Sequence, residues 1–122
     1  MNLLDTISHG QMVTKLAKPG IDILEQMTPD QMHVTHMAIG ISGEAGELLD
    51  AVKKSSIYQK ELDLENVIEE LGDLEFYMEG LRQGLNITRE ETLEHNKTKL
   101  LKRYQNFDYT NEAAQQRADK AQ

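Results

Sequence analysis

The sequence predicts an all-α protein, an antiparallel helical bundle of four to five helices. Capping signals recur along the chain, and apolar residues recur at helical spacing between them. No strand-like alternation bounded by hairpin turns interrupts that pattern. Aromatic content is only 5%, with no Trp, so the core is aliphatic, as packed helices require.

The elements follow in order. The first 18 residues predict a short amphipathic helix ending at "KPG". "TPDQ" then offers Thr28 as N-cap, Pro29 at the first helical position and Gln31 to close a capping box. The helix it opens runs to about Lys54, with Val34, Met37, Ala38, Ile41, Ala45, Leu48, Leu49 and Val52 as its apolar stripe. "SSIYQKELD" is a connector whose Asp63 caps a second long helix. That helix carries Leu64, Val67, Leu71, Leu74, Met78, Leu81 and Leu85 on one face and ends around Gly84. Thr88 opens a third helix with a second capping box, "TREE", in which Glu91 is N3; Leu93, Leu100, Leu101 and Tyr104 line its inner face. "QNFDYT" breaks the pattern, and a polar segment from about Thr110 closes the chain as a fraying helix. A length of 122 residues suits one compact domain, with its core over about 28–105 and a peripheral segment at 110–122.

Composition narrows the function. With 39% hydrophobic and 28% charged residues the chain reads as an ordinary soluble protein, and the expected location is cytoplasmic. The net charge of −8 argues against a nucleic-acid polymer as partner, because that binding rests on Lys and Arg neutralising phosphates. A protein this acidic that handles phosphates needs positive charge from elsewhere, and a divalent cation is the obvious source. The absence of Cys excludes disulfides, thiolate zinc sites and cysteine nucleophiles. No apolar run approaches the roughly 18 residues of a membrane span, and no signal peptide opens the sequence.

One stretch of the first long helix, "GISGEAGELLDAVKK" at 40–54, asks for a reason. Each of Gly40, Gly43 and Gly46 costs about 1 kcal/mol relative to Ala in a helix interior. Close approach of a ligand, a helix or a second subunit would justify them, as would tight packing alone. Acids spaced three apart share a helix face and can converge on one cation. Five such pairs occur, at Asp22/Glu25, Glu44/Glu47, Glu47/Asp50, Glu70/Asp73 and Glu91/Glu94, so spacing alone selects none of them. Rotational position does. At about 100° per residue, Glu44 and Glu70 lie roughly 80° and 65° from their stripes in the same sense, with Glu47 and Asp73 about 60° further round. Two antiparallel helices packed through those stripes would bring the four carboxylates to one margin. Carboxylates crowded there need compensation, which a hard cation with oxygen ligands such as Mg²⁺ supplies. On the third helix Asn96 and Lys97 flank the apolar line, where Lys normally snorkels but two adjacent polar residues suit phosphate contact. Lys54 lies on the acid strip, where it is either a surface lysine or a phosphate contact.

With these residues in view, the chain resembles the MazG-type all-α nucleoside triphosphate pyrophosphohydrolases. The resemblance spans roughly residues 30 to 105 and rests on "GEAGE" (Glu44, Glu47), "EELGD" (Glu70, Asp73), Tyr77 four residues after that aspartate, and "HNKTKLLKRY". It implies Mg²⁺-dependent hydrolysis of a (d)NTP to the monophosphate and pyrophosphate, with Mn²⁺ as a substitute metal. It further implies metal ligation by Glu44, Glu47, Glu70 and Asp73, with Glu47 or Glu44 as the catalytic acid–base group. Lys54, Lys97 and Arg103 are its candidate triphosphate contacts, Asn96 and Tyr77 its candidate substrate contacts, and the assembly a homodimer or a tetramer of dimers. The base-clamping tryptophans of some relatives are missing, which leaves His33, His36 or Tyr58 as candidates near the base. Phosphoribosyl-ATP and dUTP are substrate variants within the same superfamily.

Competing readings are weaker. A Nudix hydrolase wants Arg-Glu where Glu65 and Asn66 stand, and an α/β fold. A ferritin-like di-iron centre needs Glu-x-x-His, and none of His9, His33, His36 and His95 has a Glu three residues before it. A metal-free helical interaction module is the alternative of a different class, supported by the short length and acid-rich surface.

Overall fold

The computed structural model describes residues 2–120, and among these every regular element is helical. The chain divides into two units, the first ending at Met32 and the second beginning at His33.

The first unit holds three short helices, α1 (Leu3–Thr6), α2 (His9–Leu16) and α3 (Gly20–Gln26). One helix ending at "KPG" is expected there, and the structure corrects that reading. Ser8 and Gln11 form a reciprocal capping box that starts α2 afresh after a break at Ile7. α3 begins directly after Pro19, whose φ of −59° is already compatible with a helical entry.

α4 (Pro29–Ser56) crosses from the first unit into the second, which is built on it from His33 onward and on α5 (Leu64–Gly84). The start of α4 is the expected capping box: the Gln31 amide donates to Thr28 Oγ1 at 3.1 Å and the Thr28 amide to Gln31 Oε1 at 2.9 Å. Asp63 caps α5 by accepting from the Asn66 amide at 3.1 Å. Thr88 caps α6 (Arg89–Arg103) through the Glu91 amide at 3.0 Å. At the C-terminal end of α6, Asn106 and Phe107 adopt left-handed φ of 53° and 59°, which ends the helical path at the predicted "QNFDYT". Thr110 then caps α7 (Asn111–Gln116).

α4 and α5 pack antiparallel, and small residues set how closely. The ring of Tyr77 fills the place of a Cβ on Gly40, and the Met37 thioether does the same at Gly80. A Cβ on Gly84 would stand 2.6 Å from His33 Cδ2. The His33 Nε2–H donates to the Gly80 carbonyl at 2.9 Å, tying the two helices near these ends.

The packed face differs from the expected stripe. On α4 the least exposed residues are Val34, Met37, Gly40, Ile41, Glu44, Leu48, Ala51 and Ser55, while Ala38, Ala45, Leu49 and Val52 are exposed. On α5 they include Val67, Glu70, Leu74, Tyr77 and Leu81, while Leu64, Leu71 and Leu85 are exposed. On α6, Leu100 and Tyr104 are half-buried but Leu93 and Leu101 are exposed. The apolar arc of each long helix is wider than one partner covers, so averaging over it misplaces the seam. Spacings of three and four from Val34 through Glu44 to Ser55 are those of a seam between two helices. Glu44 and Glu70 are therefore seam residues rather than marginal ones.

Candidate functional site

Two carboxylates in a helix seam face each other across the contact. Ligand-capable oxygens of Glu44, Glu70 and Asp73 all lie within 4.8 Å of one another. Glu70 Oε2 is sequestered from solvent with no hydrogen-bond partner. Glu70 is held above the ordinary carboxylate range, first by a shared hydrogen bond with Glu44, then by desolvation and by the charges of Glu44 and Asp73. Asp73 is exposed at the mouth of this cluster.

The cluster gathers three of the four predicted ligands. Glu47, one turn beyond Glu44, is exposed and stands outside it. The charged residues among the predicted phosphate contacts have acidic partners of their own. Lys54 pairs with Asp50 at 3.3 Å and Lys97 with Glu94 at 3.7 Å, both exposed pairs along one helix. Asn96 is exposed. Arg103 is clamped by Asp119: Nε donates to Oδ1 at 2.8 Å and Nη2 to Oδ2 at 3.2 Å. That pair raises Arg103 and lowers Asp119 from their usual values. Arg103 lines a cleft of ≈ 470 Å³ with Lys102, Gln105, Asn106 and Gln116, and no carboxylate of the cluster reaches it.

Taking Glu44 and Glu70 as seam centres, at about 100° per residue, the α4–α5 pair has two unlike sides. Gly40, Glu47, His36 and Gly43 of α4 share one side with Asp73, Gly80 and Phe76 of α5. Ala38, Ala45, Leu49 and Val52 share the other with Leu64, Leu71 and Met78. On the acidic side Tyr77 meets both aromatic neighbours, with ring centroids 6.3 Å from His36 and 5.2 Å, edge-on, from Phe76. Gly40 is thus accounted for by Tyr77. At Gly43 and Gly46 no atom of the chain lies within 4 Å of where a Cβ would stand.

The profile of the MazG nucleotide pyrophosphohydrolase domain matches residues 31–107, well over half of the sequence. The chain belongs to the MazG family. No curated protein and no solved structure matches it. The matched MazG segment takes in α4, α5 and α6 entire but for the first two residues of α4, and with them all three clustered carboxylates. Among the described residues, no helix is long and apolar enough to cross a membrane.

Sequence reasoning passed over two features around this cluster. The approach of the Glu44 and Glu70 carboxylates across the seam was hidden by its misplacement. Phe76 carried a signal, since it stands three residues after Asp73 and so on the same face.

Proposed function

We propose that this protein hydrolyses (deoxy)nucleoside triphosphates to the monophosphate and pyrophosphate in the presence of Mg²⁺. The carrying observation is the carboxylate triad with an unpartnered buried oxygen on Glu70. Three convergent oxygen donors with no cationic side chain among them fit a hard divalent ion. Glu44, Glu70 and Asp73 would hold Mg²⁺, or Mn²⁺ in its place, with Glu47 adjoining. The ion supplies charge neutralisation at the phosphates and a bound water of lowered pKa.

The chain's own residues supply the rest. Glu47 is exposed and outside the triad, so it is free to accept the proton of the attacking water, with Glu44 as the alternative base. Lys54 and Lys97 are held only by solvent-exposed ion pairs, which contribute little and exchange readily for a phosphate oxygen. Asn96 adds a neutral donor one residue from Lys97. Arg103 spends one edge of its guanidinium on Asp119, and Nη1 is left for a phosphate. The proposed sugar contact is Tyr77, which is wedged against Gly40 beside the triad.

The apolar side of α4–α5 supports a homodimer, or a tetramer of dimers, in which a second copy covers Leu49, Val52, Leu64 and Leu71. Leu49 is 66% exposed and Leu64 61%, more apolar surface than an isolated helical pair leaves without reason. We place the activity in the cytoplasm, acting on free nucleotides. A screen of ribo- and deoxynucleoside triphosphates, with dUTP and phosphoribosyl-ATP included, tests the reading by pyrophosphate detection. Release of pyrophosphate from at least one, dependent on Mg²⁺, is expected. Inertness toward all of them would defeat it.

A further inference from the structure

Phe76 is 67% exposed, on the acidic side of the helix pair. By the same rotation it shares that side with Asp73, Glu47 and His36, and with exposed Ile39. A second helix packing there would bury carboxylates, and the opposite side already offers an apolar surface for a second copy. The ring is nonetheless fixed from behind. Tyr77 meets it edge-on at 89°, in the arrangement aromatic pairs prefer, and Tyr77 is itself held against Gly40 and beside His36. An aromatic face that is rigidly backed and open to solvent is a surface for stacking a planar ring.

Position names the ring. Asp73 and Phe76 are i and i+3 on α5, so their Cβ atoms are about 5–6 Å apart. With phosphates at the carboxylate triad, the sugar of a nucleotide covers that step and its base arrives at Phe76. We propose that Phe76, backed by Tyr77 and His36, is the platform on which the nucleobase of the substrate stacks. This rests on the pyrophosphohydrolase reading of the triad. Stacking on one face reads no hydrogen bonds, so Phe76 raises affinity for purine and pyrimidine nucleotides alike.

The sequence has no Trp, so Phe76→Trp gives the protein a single indole reporter. Titration with dATP or dCTP, with Ca²⁺ replacing Mg²⁺, should quench its emission, whereas inorganic tripolyphosphate with the same ion should not. In steady state, Phe76→Leu should raise KM roughly 5- to 150-fold, the range that loss of one base–aromatic stack implies. Phe76→Tyr should restore it, and sedimentation of all three variants should match wild type. Equal quenching by tripolyphosphate, a wild-type KM in Phe76→Leu, or a changed assembly state in Phe76→Leu would each overturn the platform. Failure of the hydrolase reading looks different: the wild type binds nucleotide without releasing pyrophosphate, and the indole quenching still decides the platform.

Discussion

The ring of Tyr77 occupies the space that a β-carbon on Gly40 would need. That single exchange, a missing side chain on α4 for a large one on α5, brings the two helices together beside the carboxylate triad. Gly40→Ala should therefore destabilise the protein. The gain in helix propensity is at most about 1 kcal/mol, and overpacking a filled contact costs about 1–3 kcal/mol. Gly43→Ala, where a Cβ meets open space, should instead stabilise by about 0.5–1 kcal/mol. Urea denaturation of the two variants gives opposite signs on this account. A loss at Gly43 would place another copy of the chain against that face.

Glu70 gives a test of the proposed metal site through stability rather than turnover. Its folded pKa is raised, so the protonated form favours the native state at low pH, and that advantage disappears as pH rises through the folded value. Calorimetry of metal-free wild type should show Tm falling over that range toward neutrality. Glu70→Gln should remove this part of the slope and raise the metal-free Tm at pH 7. Mg²⁺ at a hundredfold excess over its Kd should stabilise wild type by about 2.7 kcal/mol and leave Glu70→Gln nearly unchanged. A variant that keeps the Mg²⁺ response contradicts the ligand assignment.

Asp119 lies sixteen residues beyond Arg103 with its side chain only 3% exposed, so the chain end is fastened to α6 by this pair. Arg103 lowers the Asp119 pKa, so the stabilisation is complete above the ordinary aspartate value and disappears as pH falls through the lowered one. Trypsin at neutral pH should cut after Arg117 slowly in wild type and rapidly in Asp119→Asn. Hydrogen exchange should show the wild-type segment still protected at pH 5 and released only in stronger acid. Equal cleavage of both proteins would contradict the clamp.

The apolar side of α4–α5 predicts assembly. Leu49→Glu and Leu71→Glu should each shift the protein toward monomer at micromolar concentration, since burying a leucine contributes about 1.5–3 kcal/mol. Sedimentation velocity reads the shift. A wild type that is already monomeric would leave that surface without its proposed partner.

The legible parts of the fold were the local ones. Thr28, Asp63 and Thr88 cap their helices because a side-chain oxygen and an amide three residues on suffice. The helix Gly20–Gln26 was hidden behind "KPG", which reads as a breaker although Pro19 fits a helix entrance. The seam was harder still. Leu49 and Val52 are as apolar as Leu48, and only the facing helix decides which of them is covered. For the same reason Glu44 and Glu70 were recognisable as acids of interest while their direct contact was not. Arg103–Asp119 depends on a chain reversal after Asn106, and no spacing rule reports it.

The most direct test of the central claim is hydrolysis of the preferred triphosphate in ¹⁸O-labelled water with Mg²⁺, followed by mass analysis of both products. The account predicts one ¹⁸O on the nucleoside monophosphate, intact unlabelled pyrophosphate, and loss of both products in Asp73→Ala. Nucleoside diphosphate with orthophosphate, or undiminished turnover in Asp73→Ala, would contradict it.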